Sequence, residues 1–182
     1  MIEGSENGLL LEMFTESMLT DNHTVVYATK HPLSYIYISG GTLKDWYTNS
    51  VQYQNSTLWA DGEMEKSIYD PCPDGWRITS NRTWDDYSTS NAPYYIQGVQ
   101  STSKNNNYAT NGILYNHITW YPAGGYRLTT SGMLNSVGIG GYSWSTTPAA
   151  LSANNLEFSL AILNTQDVSA RSYGLPVRCV QE

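Results

Sequence analysis

The sequence predicts an α+β domain, a twisted and mostly antiparallel sheet with one or two short helices and long loops. Three observations carry that expectation. From Gly112 onward, apolar and aromatic runs alternate with polar turns, as in ILYNHITWYPAGGYRL, GGYSWSTTP, NNLEFSLAI and YGLPVRCV, the pattern of short antiparallel strands. The chain holds 15 Tyr and 6 Trp against 2 Phe, together with 15 Asn, 20 Ser and 18 Thr, side chains that favour strands and loops over helices. Helical spacing is offered by two short segments, residues 9–19 and 81–87.

Taken in order, residues 9–19 (LLLEMFTESML) place Leu9, Leu10, Met13 and Phe14 at helical spacing, and a buried strand fits the same run equally well. Thr24 to Ala28 and Tyr35 to Ser39 are β-branched or aromatic runs separated by His31-Pro32 and closed by Gly40-Gly41, so both read as strands or extended arms. Residues 42–66 form a long irregular loop carrying Trp46, Tyr47, Tyr53 and Trp59. Loops of that length pack aromatics beneath themselves or carry function. Ser80 is placed to cap a helix over residues 81–87, with Trp84 facing the core and Asp85 and Asp86 on a solvated face. From Asn91 to Asn111 the chain reads as a loop with at most one strand, around Tyr94 to Val99. There is no internal repeat and no linker, so residues 1–182 read as a single domain.

Charge and composition exclude several function classes. Nine Lys plus Arg against 16 Asp plus Glu leave a net charge of -7 and a pI near 4.8, which lacks the basic footprint of a nucleic-acid binder. No apolar run approaches the roughly 18 residues that a membrane-spanning helix requires. Cys72 and Cys179 have no CxxC partner and no neighbouring His, which argues against zinc. They form either one long-range disulfide or two buried thiols, and a disulfide would imply an oxidising compartment. Met1 to Gly8 is not a secretory signal. Export would then rest on a longer precursor or on release by lysis. The sequons at Asn22, Asn55 and Asn81 are expected by chance in so polar a chain.

Catalytic signatures are missing from the sequence. There is no GxSxG, HExxH, P-loop, strand-borne GxGxxG or EF-hand loop. His23, His31 and His117 are scattered and read as structural or surface residues. Asp85 and Asp86 are adjacent and do not face each other on a helix. No pair among the 16 acids is singled out for glycosidase chemistry, and no dense acidic cluster is present for calcium. Neither a cofactor nor a metal is expected.

One stretch is far more specific. Residues 66–78, KSIYDPCPDGWRI, resemble the signature of the Fibrobacter succinogenes major paralogous domain family, which belongs to the C-type lectin-like superfamily. Further blocks resemble it in order: YPAGGYR at 121–127, GYSWSTTP at 141–148 and VRCV at 177–180, with Asp45-Trp46-Tyr47, Tyr53-Gln54-Asn55 and Leu58-Trp59 upstream. The resemblance covers residues 30–182 and implies a C-type lectin-like fold. It also implies that Pro71, Pro73 and Gly75 shape a turn, that Trp76 fills core beside a Cys72–Cys179 disulfide, and that Trp144 and Pro148 are structural. Ile78-Thr79-Ser80 departs from the family's apolar residue, Pro and Thr, and Thr83 replaces its capping-box Glu, which weakens the helix start. The Glu-Pro-Asn, Gln-Pro-Asp and Trp-Asn-Asp triplets of calcium-dependent lectins are absent. So are the paired active-site cysteines of the related formylglycine-generating enzymes, because both cysteines here sit in structural blocks.

The resemblance implies a non-enzymatic recognition module, located extracellularly, on a cell surface or on a phage particle, that binds a protein or glycan ligand on another cell or surface. Two forms are open, an adhesion module of a surface or fimbria-associated protein and the hypervariable protein of a diversity-generating retroelement. The second is motivated by Ala149, Ala150, Leu151, Leu160, Ile162, Ala170, Leu175 and Pro176, which stand where family members carry Asn, Tyr and Ser. Adenine-directed mutation of Asn codons yields such replacements. The expected ligand-binding residues are Tyr142, Ala149, Leu151, Asn154, Asn155, Leu160, Ile162, Asn164, Ser169, Ser172, Tyr173 and Leu175. Tyr offers contact area at small entropic cost, and Asn and Ser offer donors or acceptors.

Overall fold

The computed structural model describes residues 5–6, 9–15, 18, 23–38, 45, 48, 50–61, 65–96, 99–101 and 111–182. Asn22, Gly40, Gly41, Trp46, Tyr47 and the polar stretch 102–110 lie outside them. Strands make up 42% of the described residues, and this corrects the expected α+β, C-type lectin-like class to a β-rich fold of several small sheets.

The helix expected after Ser80 contracts to one 3-10 turn, Asn81–Trp84, and the Ser80 side chain makes no capping hydrogen bond. Without a Glu at position 83 there is no reciprocal cap to extend the turn. Trp84 still reaches the core, and Asp85 and Asp86 are exposed.

A second correction falls near the start. β1 (Ser5–Glu6) pairs antiparallel with β2 (Leu9–Met13), which in turn pairs parallel with β3 (Ser34–Tyr37). Parallel neighbours need a crossover, and His23–Lys30, expected to be extended, supplies it as α1. Tyr27 on α1 packs edge-on against Phe14, with ring centroids 5.0 Å apart, and stacks on His31 at 4.2 Å. These contacts override the β-branched preference of Thr24, Val25 and Val26.

β5 (Tyr94–Ile96), β6 (Val99–Ser101), β7 (Gly112–Tyr115) and β8 (Thr119–Pro122) form an antiparallel sheet in the order β6-β5-β7-β8. Two strands, β5 and β6, therefore precede the polar stretch where one at most was expected. β9 (Tyr126–Arg127) pairs with β10 (Leu134–Asn135). β11 (Gly140–Ala149), β12 (Ser152–Ser159) and β13 (Leu163–Ala170) make an antiparallel meander.

Between these two larger sheets lies the core, where Leu156, Phe158 and Leu160 meet Trp84, Tyr94, Ile113 and Tyr121. Gly141 lies opposite Phe158 in the ladder, and a Cβ at Gly141 would sit 1.9 Å from Phe158 Cζ. The missing side chain is thus what lets β11 lie over the ring.

β4 (Trp76–Ile78) pairs with β14 (Cys179–Gln181), and Cys72 and Cys179 form a disulfide with a Cα separation of 5.8 Å. The loop before β4 is organised by Asp70. Its Oδ1 accepts from the Cys72 N–H at 2.8 Å and the Lys66 ammonium at 3.1 Å, and its Oδ2 accepts from the Ile78 N–H at 3.0 Å. Lys66 also donates to the Cys72 and Trp76 carbonyls. Gly75 turns the chain at φ +75°, a conformation open to glycine at no steric cost. Trp76 does not fill core beside the disulfide: it is 43% exposed.

Candidate functional site

Side chains alternate across a strand, so β12 sorts its residues by parity. Leu156 and Phe158 enter the core, which sends Ala153, Asn155 and Glu157 to the opposite, outer face, half-buried at its two ends and closed in its middle row, where Trp144 is 5% and Asn155 0% exposed. The register extends this face into three rows: Tyr142, Glu157 and Asn164; Trp144, Asn155 and Asp167; Pro148, Ala153 and Ser169. β13 carries an irregularity between the first two rows. The free edge of β11 is tied down where the Trp144 N–H donates to the Pro176 carbonyl and the Thr146 N–H to the Thr79 carbonyl.

At one end of the face is an aromatic corner. Tyr126 lies edge-on to Tyr142, with centroids 4.8 Å apart, and edge-on to Tyr173 at 5.4 Å. The Tyr142 hydroxyl donates to Glu157 Oε1 at 3.4 Å. Burial and the Glu157 carboxylate push the Tyr142 phenol up to about 12. Burial and the neighbouring Asp167 carboxylate raise Glu157 in turn. Both Asp167 oxygens accept side-chain amides, Oδ2 from Asn155 at 3.2 Å and Oδ1 from Asn164 at 3.3 Å.

At the other end is a cleft of about 100 Å³. Trp144, Pro148 and Ala153 of the sheet form one side, and Leu58, Trp59, Asn55 and Ser56 of the 45–60 segment form the other. Arg171 closes it. Its Nη1 lies 3.5 Å from Asp45 Oδ2, its Nη2 donates to Ser56 Oγ at 2.9 Å and to the Ala150 carbonyl at 3.0 Å, and its Nε donates to the Ser152 carbonyl at 3.2 Å. One planar guanidinium thereby joins the early loop to the β11–β12 hairpin.

The structure brings some of the expected contact residues together and separates others. Tyr142, Asn164 and Ser169 share the outer face, with Tyr173 at its aromatic corner. Ala149 and Leu151 flank the hairpin end above the cleft, where Leu151 is exposed. Asn155 is on the face but fully buried, held by Asp167. Leu160 belongs to the core, and Ser172 is buried beneath Tyr35, whose hydroxyl donates to the Ser172 carbonyl at 2.7 Å. None of these three presents its side chain to a ligand. Asn154 alternates to the face opposite Asn155, opposite Val168 in the ladder, and Ile162 is exposed at the β12–β13 turn. Leu175 is half-buried in the segment before β14.

Sequence reading missed Asp45, Trp59, Tyr126, Glu157, Asp167 and the closing role of Arg171, and it assigned Trp144 and Pro148 to scaffold alone. Trp59 was the one with a signal, an aromatic residue in a long loop.

Comparison with protein-family models, curated proteins and solved structures finds no match to the chain. Among the described residues, no helix is long and apolar enough to cross a membrane, and no group of three or more His, Cys, Asp or Glu is placed to hold a metal ion.

Proposed function

We propose that this protein is a non-enzymatic recognition module that binds a ligand on another cell or surface through the outer face of the β11–β13 sheet and the cleft at its end. The observation that carries the reading is the register. It gathers Tyr142, Asn164 and Ser169 on the side of the sheet that also walls the cleft with Trp144 and Ala153. Tyr, Asn and Ser on a rigid sheet are the chemistry of adaptable recognition surfaces, and a concave, mostly apolar site with a few polar groups is where ligands bind. The cleft's carboxylate, Asp45, is engaged with Arg171, which supports binding over catalysis. The Cys72–Cys179 disulfide supports an oxidising, extracellular setting. The resemblance to the Fibrobacter succinogenes major paralogous domain family, carried by residues 66–78 and the later blocks, supports an adhesion role.

A second reading, the diversified protein of a retroelement, is favoured by one observation. Of the replaced positions, Ala150, Leu151, Ile162 and Pro176 are exposed and Ala149, Ala170 and Leu175 half-buried, with Leu160 alone in the core. Sequencing the gene and its flanks from many isolates tests it. Adenine-templated substitutions confined to about Tyr142–Pro176, beside a reverse transcriptase and a near-copy repeat, are the expected result. Evenly spread substitutions would leave the fixed adhesin.

The main reading is tested by labelling the protein and measuring its adhesion to a panel of cell surfaces and immobilised glycans. The triple variant Tyr142→Ala, Ser169→Arg, Tyr173→Ala should lose binding that the native chain shows, while Ile68→Ser, on an exposed loop residue before β4, should retain it.

A further inference from the structure

We infer that the Trp59–Trp144 cleft receives one uncharged aromatic side chain of a protein ligand, which narrows the ligand class from protein or glycan to protein. The inference rests on the recognition reading above and concerns what enters its cleft.

The cleft's charges come first. Among its lining residues Asp45 and Arg171 are the charged ones, and they neutralise each other at 3.5 Å, so a charged occupant meets no free counter-charge. Its polar oxygens come second. Asn55 Oδ1 accepts from the Thr57 N–H and hydroxyl, both at 2.8 Å, Ser56 Oγ accepts from Arg171, Ser145 Oγ donates to the Asn154 carbonyl at 2.9 Å, and Thr146 Oγ1 donates to Asp61 at 3.2 Å. A sugar ring gains its affinity from hydroxyls that replace water at donors and acceptors together, and here the side-chain oxygens are engaged inside the protein, which leaves donors alone: the Asn55 amide nitrogen and the indole N–H groups of Trp59 and Trp144. Beyond those few donors, what the cleft has to offer is apolar surface from Leu58, Trp59, Trp144, Pro148 and Ala153.

Size and shape restrict the occupant further. A dry apolar cavity of roughly 150 Å³ holds a benzene ring, so an open cleft of about 100 Å³ admits one ring, partly inserted. Two indoles in the lining favour a ring over an aliphatic chain through edge and face contacts. A buried aromatic anchor ringed by polar groups is the usual centre of a protein–protein contact.

The test titrates the whole protein with p-cresol and, separately, with methyl glucoside and methyl galactoside, following the indole N–H resonances of Trp59 and Trp144. These are assigned with Trp59→Phe and Trp144→Phe. Saturable shifts with p-cresol in the millimolar range are expected, abolished in Ala153→Phe, which fills the cleft, and weakened several-fold in Trp59→Ala, which removes a wall from a surface loop and keeps the test open if the first variant misfolds. The glycosides should move neither resonance. Shifts with a glycoside and none with p-cresol would overturn the inference in favour of a saccharide site, and silence with every probe would overturn it outright. The adhesion measurement on the face variants reads the recognition proposal separately. A silent cleft with face variants that still lose adhesion refutes only the aromatic anchor, whereas harmless face variants refute the proposal on which the anchor rests.

Discussion

Arg171 Nη1 lies 3.5 Å from Asp45 Oδ2, with the two side chains 13% and 3% exposed, and this pair fastens the early loop to the hairpin that carries the outer face. A buried ion pair is weak evidence of net stabilisation, but removing one partner is costly because the other is left in a dry site. Arg171→Ala should therefore lower unfolding free energy by about 3 kcal/mol, read as a lower urea midpoint. Arg171→Lys should recover part of this, since an ammonium keeps the charge and loses the fork that reaches Ser152 and Ala150.

Asp70 is expected to matter as much as the disulfide beside it. Its carboxylate satisfies the Cys72 and Ile78 N–H groups at 2.8 and 3.0 Å, and Ala would leave both without an acceptor in a buried turn. Asp70→Ala should cost about 3 to 5 kcal/mol, counting two hydrogen bonds to a charged group. Asp70→Asn, which keeps one acceptor, should cost about half as much by the same measure. Thermal unfolding of the two variants under oxidising conditions checks the order.

Glu157 gives the fold a pH dependence of known sign. Burial and Asp167 raise its folded pKa above that of the unfolded chain, so the folded state favours the protonated acid. That contribution is present at low pH and is lost as pH rises through the raised value. Glu157→Gln, neutral at every pH, should raise the melting temperature near neutrality, and the gap to the native chain should close on acidification to about pH 4, near the ordinary glutamate value. A gap that widened in acid would contradict the assignment.

Gly141 should tolerate no side chain. A Cβ there would lie 1.9 Å from Phe158 Cζ, and Phe158 is fully enclosed in the core. Gly141→Ala should destabilise by about 1 to 3 kcal/mol, the cost of overpacking. Pairing it with Phe158→Leu should restore part of the loss, seen as a non-additive double-mutant cycle.

Local chemistry made part of this molecule readable in advance. The Leu156-Glu157-Phe158-Ser159 alternation gives a strand, Asp70 to Trp76 gives a turn, Trp84 gives a core anchor, and the two cysteines pair. What was not readable depends on distant partners. Thr24 to Ala28 looks extended until the parallel pairing of β2 and β3 demands a crossover, and Tyr27 then has Phe14 and His31 to pack against. Asn154 and Asn155 look interchangeable until the strand's alternation places them on opposite faces, one buried on Asp167. Likewise nothing in the local sequence ties Asp45 to Arg171, so the cleft was invisible while the Tyr, Asn and Ser of the face were not.

The central claim is that the outer face of β11–β13 is the binding surface, and the adhesion assay with paired variants tests it most directly. Native protein and Ile68→Ser should bind the same surface alike, and Tyr142→Ala, Ser169→Arg, Tyr173→Ala should bind it at least tenfold more weakly, a loss of roughly 1.4 kcal/mol or more, at a temperature where each variant is folded. Undiminished binding by the folded triple variant, or loss of binding in Ile68→Ser alone, would contradict it.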